Sequence, residues 1–229
     1  MKQKLIQRRV GTLEVLEKAG DPHQGTIILL HGFGADAYDL APLSQAYEGP
    51  TWLFPQGPLE IPFESGYTGR AWFPVKIELL TRAIEERRFE DVYKAFPSDL
   101  NTARDVVDAL IADLNIPRSQ IVLGGFSQGA VLAVDATLHS PQRCGGLVIF
   151  SGTLINEPLW KRLATQHGAT PFFQSHGTHD PLLPLPHAQA LARLLQESGL
   201  RGELHTFTGG HDIPPATIKQ FATFLHHLM

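Results

Sequence analysis

Apolar residues along this chain fall into short runs separated by stretches of helical period. Leu5–Val10 and Leu13–Lys18 are β-like runs joined at Gly11-Thr12, and they read as an edge hairpin. Further strands are predicted over Thr26–Leu30 and over residues 51–54, 120–123, 147–150, 171–175 and 203–207. The early ones are continuous apolar runs, as expected when helices cover both faces of a parallel sheet. Residues 99–114 carry Ala103, Val106, Val107, Leu110 and Ile111 at a 3.6-residue period. Residues 186–197 repeat that pattern before Gly199, which marks a helix stop, and residues 214–229 close the chain as a helix. Strand alternating with helix predicts an α/β fold with a mostly parallel central sheet, helices on both faces and an N-terminal antiparallel hairpin.

One connection is unusually long: about forty residues separate the strand at 51–54 from the helix at 99, and loops of that length are functional or hold structure of their own. Its first part is rich in Pro, Gly and aromatic residues. Its second part, 76–96, places Ile77, Leu80 and Ile84 at helical spacing. The chain is therefore expected to form a single domain, 1–229, with a lid or flap excursion at about 55–97. The bland reading of 76–96 is a surface helix packed on the body, and the sharper one a flap beside the active site.

Bulk properties narrow the function. A net charge of -4 argues against a nucleic-acid binder, which carries a basic face. A hydrophobic fraction of 43% is ordinary for a globular protein. The lone cysteine, Cys144, allows no intrachain disulfide, so the cytoplasm is the simplest compartment. The N-terminal stretch is basic without an apolar run behind it, unlike a secretory signal. No apolar run approaches the roughly 20 residues that span a bilayer.

The chemistry centres on Gly125-Phe126-Ser127-Gln128-Gly129. A short apolar strand precedes this pentapeptide and a helical stretch, 130–138, follows it. Strand, sharp turn and helix make a nucleophile elbow, with Ser127 at a helix N-terminus that favours negative charge. A serine hydroxyl needs a base, an acid to orient the base, and donors for the oxyanion. The acid expected from chain order is Asp180, in a turn-rich loop directly after the strand 171–175. Asp135 is a poor rival inside the elbow helix, and Asp212 comes after the base. The base expected is His211, in Thr208-Gly209-Gly210-His211, after the last strand. His205 falls inside a strand, and His226 and His227 in the terminal helix. His176 and His179 flank the acid, but no zinc-type spacing supports a metal site. The second oxyanion donor, beside the Gln128 N–H, is assigned to Phe33 in His31-Gly32-Phe33-Gly34.

Together these stretches resemble the phospholipase/carboxylesterase family of α/β-hydrolases, which includes the acyl-protein thioesterases. The resemblance spans about residues 24 to 228. It rests on Leu29 to Gly34, on Gly69-Arg70-Ala71-Trp72-Phe73, on Gly124 to Gly129, on Ser151-Gly152, on His176-Gly177 with Asp180-Pro181 and Pro184, and on Gly210-His211. It implies hydrolysis of carboxylic esters and thioesters with no cofactor, on small-molecule or lipid acyl substrates. It also implies that Trp72, Phe73 and Arg70 contribute to substrate binding. An exposed apolar acyl groove would give a homodimer something to bury. The chain departs from the family at Ala130, where many members have Gly, at Ala35, inserted before Asp36, and over 76–96, which is longer than in compact thioesterases. The rival class, a non-catalytic small-molecule binding protein on the same scaffold, would be favoured by a missing triad member, and none is missing.

Overall fold

The computed structural model describes residues 4–86, 88, 91, 94–97 and 100–229. Eight strands form one sheet: β1 (Leu5–Val10), β2 (Leu13–Lys18), β3 (Thr26–Leu30), β4 (Thr51–Pro55), and, after the excursion, β7 (Ile121–Phe126), β8 (Gly146–Phe150), β9 (Pro171–Gly177) and β10 (Arg201–Phe207). Their spatial order is β1-β2-β4-β3-β7-β8-β9-β10. β1 and β2 pair antiparallel over the predicted spans, and β2 joins β4 antiparallel. From β4 through β10 every pairing is parallel, so the carboxyl ends of β3, β7, β8, β9 and β10 share one edge of the molecule.

Strand residues alternate between two cores, as the period of two requires. Ile28 and Leu30 of β3, Leu123 of β7, and Leu147 and Ile149 of β8 join one cluster. Ile27 and Leu29, Val122, and Val148 and Phe150 join the other. The first cluster is capped by α2 (Asn101–Leu114), α3 (Gln128–His139), α4 (Glu157–Ala164) and α5 (Leu185–Glu197). The second is closed by α6 (Pro215–Leu228) together with residues 37–43. α3 is buried from Gln128 through Leu138, which explains its apolar character on all sides. Phe221 of α6 anchors the second core, with its ring 6.1 Å from Trp52, 5.2 Å from Phe150 and 5.8 Å from Phe173.

The long excursion holds structure that hydrophobic periodicity did not reveal. β5 (Leu59–Pro62) and β6 (Thr68–Ala71) form a separate antiparallel hairpin. β5 is mostly exposed, and in β6 the buried positions are filled by Gly69 and Ala71, too small to give an apolar alternation. α1 (Ile77–Glu85) occupies the start of the expected helical stretch. Several residues further along, among them 89–90 and 92–93, lie outside the described residues. α4 was also unanticipated, since its eight residues make only about two turns and so display little of an apolar period.

Truncating Phe221, which is fully buried, should leave a cavity among the rings of Trp52, Phe150 and Phe173. We expect Phe221→Ala to lose about 3–5 kcal/mol of unfolding free energy. Urea titration followed by tryptophan fluorescence measures it, and a loss below about 1 kcal/mol would mean that α6 is not the anchor of this core.

Candidate active site

Ser127 sits between β7 and α3 with φ 53 and ψ -115. A non-glycine residue in that region costs on the order of 1–3 kcal/mol, so the surroundings must enforce it. They do so by close packing. A Cβ on Gly129 would lie 2.0 Å from the Leu30 carbonyl oxygen, and one on Gly125 would lie 2.5 Å from the same atom. A Cβ on Gly124 would strike Val148 at 2.5 Å. Only glycine lets α3 and the neighbouring strands close on the turn. The Ser127 N–H then donates to Phe150 O at 2.9 Å, pinning the elbow to β8.

The loop after β3 lies against this elbow. A Cβ on Gly32 would be 3.1 Å from the Phe126 ring and 3.5 Å from Ser127 Cβ. Gly34 N–H donates to Arg70 O at 2.8 Å and Ala35 N–H to Gly32 O at 3.3 Å. Phe33 N–H finds no acceptor among the described residues. Gln128, at the first position of α3, likewise has an N–H without an intrahelical partner. Its side chain is occupied elsewhere: Oε1 accepts from Trp72 N–H at 2.9 Å, and Nε2 donates to Phe73 O at 2.7 Å. Trp72 Nε1 donates to His31 O at 2.9 Å. Trp72 and Phe73 are therefore buried side chains that tie the excursion to the elbow, at 2% and 4% exposure. Arg70 is half-buried and pairs with Glu60 at 3.1 Å.

His31 is the hidden member of this scaffold. Its Nδ1 bonds Gly32 O at 2.8 Å and its Nε2 accepts from Gly57 N–H at 2.9 Å, an arrangement that requires the neutral ring protonated on Nδ1. Burial pushes its pKa down, which keeps that tautomer in place.

The loops after β9 and β10 are stitched together. Thr178 N–H donates to Phe207 O and His179 N–H to Gly209 O, both at 2.9 Å. A Cβ on Gly177 would be 2.1 Å from Gly210 O, so glycine at 177 serves the close approach of the two backbones. The result is a 2.6 Å contact between His211 Nδ1 and Asp180 Oδ2. The other carboxylate oxygen accepts from the N–H groups of Leu182 and Leu183, at 2.8 and 2.9 Å. Burial alone would push the Asp180 carboxyl up, but His211 and these two N–H groups hold it below the ordinary carboxylate value. His211 lies beside Phe126, the residue before Ser127, with ring centroids 4.7 Å apart and the rings tilted by 50°. The structure thus brings Ser127, Gly32-Phe33, Asp180 and His211 to one end of the sheet.

Two neighbours of the acid are separated by the fold. His176 is fully buried, with Nε2 donating to Leu183 O at 2.6 Å and lying 3.4 Å from Asp180 Oδ2. His179 is exposed and meets Thr178 Oγ1. Asp135 is spent inside the protein on Trp160 and Arg104. The Gln128 clamp, His31 and His176 were not assigned these roles from sequence. The available signal was burial: each is a polar residue at the end of an apolar strand or the start of an apolar helix.

A family model described as Phospholipase/Carboxylesterase matches residues 12–229. Acyl-protein thioesterase 1 of Aspergillus fumigatus is 30% identical over 223 residues, covering 90% of this chain and 89% of that protein. Acyl-protein thioesterase 1 of Saccharomyces cerevisiae is 29% identical over 218 residues, covering 89% and 92%. Among solved structures, esterase PE8 superposes with a TM-score of 0.73 at 25% identity, covering 90% of this chain and 93% of that one. A carboxylesterase from Mesorhizobium loti shares the fold with a TM-score of 0.70 at 21% identity, covering 97% and 98%.

Three buried histidines give this scaffold a pH dependence. His31, His167 and His176 all have pKa values lowered by burial. Unfolded, each takes up a proton near pH 6.5, whereas folded each stays neutral. The unfolded state then binds more protons, so stability is complete above about pH 6.5 and falls as the solution is acidified. Urea unfolding between about pH 7.5 and about pH 5 should show that decline, and a flat profile would mean that these rings protonate without penalty.

Proposed function

The chain belongs to the phospholipase/carboxylesterase family of α/β-hydrolases, and from that premise we propose that it hydrolyses carboxylic esters and thioesters with Ser127 as nucleophile, His211 as base and Asp180 as the acid that orients the base. The observation that carries this reading is the 2.6 Å contact of His211 Nδ1 with buried Asp180, on loops at the same sheet edge as the strained Ser127. With Nδ1 engaged by the carboxylate, Nε2 is the ring nitrogen left to accept the Ser127 proton.

In the first half-reaction Ser127 Oγ attacks the acyl carbonyl as its proton passes to His211 Nε2. The carbonyl electron pair moves onto oxygen, where the Phe33 and Gln128 N–H groups meet the developing charge. Collapse of this intermediate breaks the bond to the alcohol or thiol, which leaves with the proton from His211. Water then attacks the acyl-serine, giving its proton to His211, and release of the carboxylic acid restores Ser127. Asp180 stays ionised throughout and stabilises the imidazolium. The N–H groups of Leu182 and Leu183 support that role by keeping its carboxyl acidic.

The substrate class follows from the relatives and the mouth of the site. The curated relatives are acyl-protein thioesterases, and the solved neighbours include esterases. Exposed Leu182 adjoins the acid loop, and exposed Phe63 packs over Gly34 beside the oxyanion loop. This apolar surface suits an acyl chain. We read Trp72, Phe73 and Arg70 as backing the acyl side of the serine through the oxyanion loop, and the excursion at 55–97 as its flap. Among the described residues no helix is long and apolar enough to cross a membrane. The buried free thiol of Cys144 suits a reducing cytoplasm.

Ser127→Ala should lower kcat on p-nitrophenyl esters by at least about 10⁴-fold with the far-UV spectrum unchanged. Substantial turnover by the purified variant would sink the triad. Asp180→Asn should lose on the order of 10³- to 10⁴-fold, chiefly in kcat, because the imidazole loses its orienting partner. A series of p-nitrophenyl esters and acyl thioesters of rising chain length separates the two substrate classes. A maximum at short chains marks a small-ester hydrolase, and one at long chains with good thioester turnover marks a lipid or acyl-protein substrate.

A further inference from the structure

A groove of about 1130 Å³ opens beside α3, and neither Ser127 nor Asp180 nor His211 lines it. Its apolar floor includes Phe96, Leu100, Leu154 and Leu159. Phe96 meets Phe73 at a ring distance of 6.4 Å, and Phe73 O accepts from the Gln128 side chain. The groove is thus one aromatic layer removed from the elbow.

Its walls carry an unusual charge for a chain of net charge -4. Lys76, Arg104, His139 and His187 all line it. The buried acid of the wall, Asp135, is consumed internally: Oδ1 accepts from Trp160 Nε1 at 2.9 Å and Oδ2 from Arg104 Nη1 at 3.0 Å. Asp135 therefore holds the Arg104 guanidinium, whose side chain is 13% exposed, in place without filling its five donors. Lys76 and His187 enter no ion pair among the described residues. Glu157 is the remaining acid on the groove, exposed at the start of α4. The first turns of α2, α4 and α5 also lie along the groove, and the positive ends of their dipoles add to the same field. An apolar floor beside the cationic side chains of Lys76, Lys94 and Arg104 matches a molecule with an aliphatic body and an anionic head.

We infer that this groove binds an aliphatic carboxylate, with the chain on Phe96, Leu154 and Leu159 and the carboxylate held among Lys76, Arg104 and His187. The choice of carboxylate over other anions rests on the hydrolase reading, since ester cleavage releases that class of product. The site is separate from the reacting serine and is occupied without covalent chemistry.

The test is calorimetric titration of the Ser127→Ala protein with octanoate, with 1-octanol as the uncharged control. Octanoate should bind at least about tenfold more tightly than octanol. Adding Lys76→Gln and His187→Gln, both at solvent-accessible positions, should bring octanoate down to the octanol level. In the wild-type background His187→Gln alone should leave p-nitrophenyl acetate turnover unchanged. Equal binding of acid and alcohol, or an octanoate affinity untouched by the double substitution, would overturn the site. Because binding is read without the Ser127 hydroxyl, failure of the triad would show in turnover and leave this titration intact.

Discussion

Everything at the reacting end of this molecule depends on how closely α3 packs against the sheet. The helix is buried along nearly its whole length, and its first turn presses Gly129 onto the carbonyls of Leu30 and His31. That contact leaves the chain between β7 and α3 too little room for a relaxed turn. Ser127 therefore adopts a positive φ, and the cost is carried by apolar burial elsewhere in the helix. The same contact sets the distance between the β3 loop and the serine. A side chain on Gly32 or Gly129 would separate the β3 loop from the elbow.

A second layer of order comes from buried polar groups that are neutral or fully paired. Gln128, His31 and Trp72 form a connected set of hydrogen bonds joining the elbow, the oxyanion loop and the excursion. Buried polar groups cost free energy when unpartnered, so such a set tolerates only one arrangement. On the other side, His176 bonds the Leu183 carbonyl while the Leu183 N–H bonds Asp180. The acid loop is thus fixed from beneath before His211 meets it. Asp135 serves a comparable purpose in α3, binding Trp160 of α4 and Arg104 of α2 to one buried carboxylate.

The parts of this architecture legible in the sequence were those governed by strict periods or by obligatory glycine. β1, β2 and β3 occupy their expected spans, because their apolar runs are bounded by turn residues. The elbow was legible because strand, glycines and helix converge on one pentapeptide. The meeting of Asp180 with His211 could be anticipated only from chain order, since nothing in the local sequence of either loop names the other. The β5–β6 hairpin was not legible: its strands have four residues each, β5 is mostly exposed, and the buried positions of β6 are Gly69 and Ala71, which carry no apolar signal. The scaffold roles of His31, Gln128 and His176 were invisible for a different reason. They arise from contacts between residues 26, 55 or 56 positions apart, or from one carbonyl seven residues away, and neither kind carries a periodic signal.

The chain's individuality lies where these constraints relax. The sheet edge that holds Ser127, Asp180 and His211 is fixed by backbone approach, and little substitution is possible there. The exposed face of α1 is bound by no such contact. Asp135 shows how the two regimes meet. It lies on the elbow helix, eight residues beyond Ser127, yet its carboxylate is directed to buried Trp160 and to Arg104 at the wall of the large groove. A charge buried at that depth is tolerable only with its partners in place. α2, α3 and α4 must therefore keep a common alignment, and the groove wall is as rigid as the elbow itself. Phe96, Phe73 and the Gln128 clamp are the aromatic and hydrogen-bonded contacts that lie between the groove and the elbow.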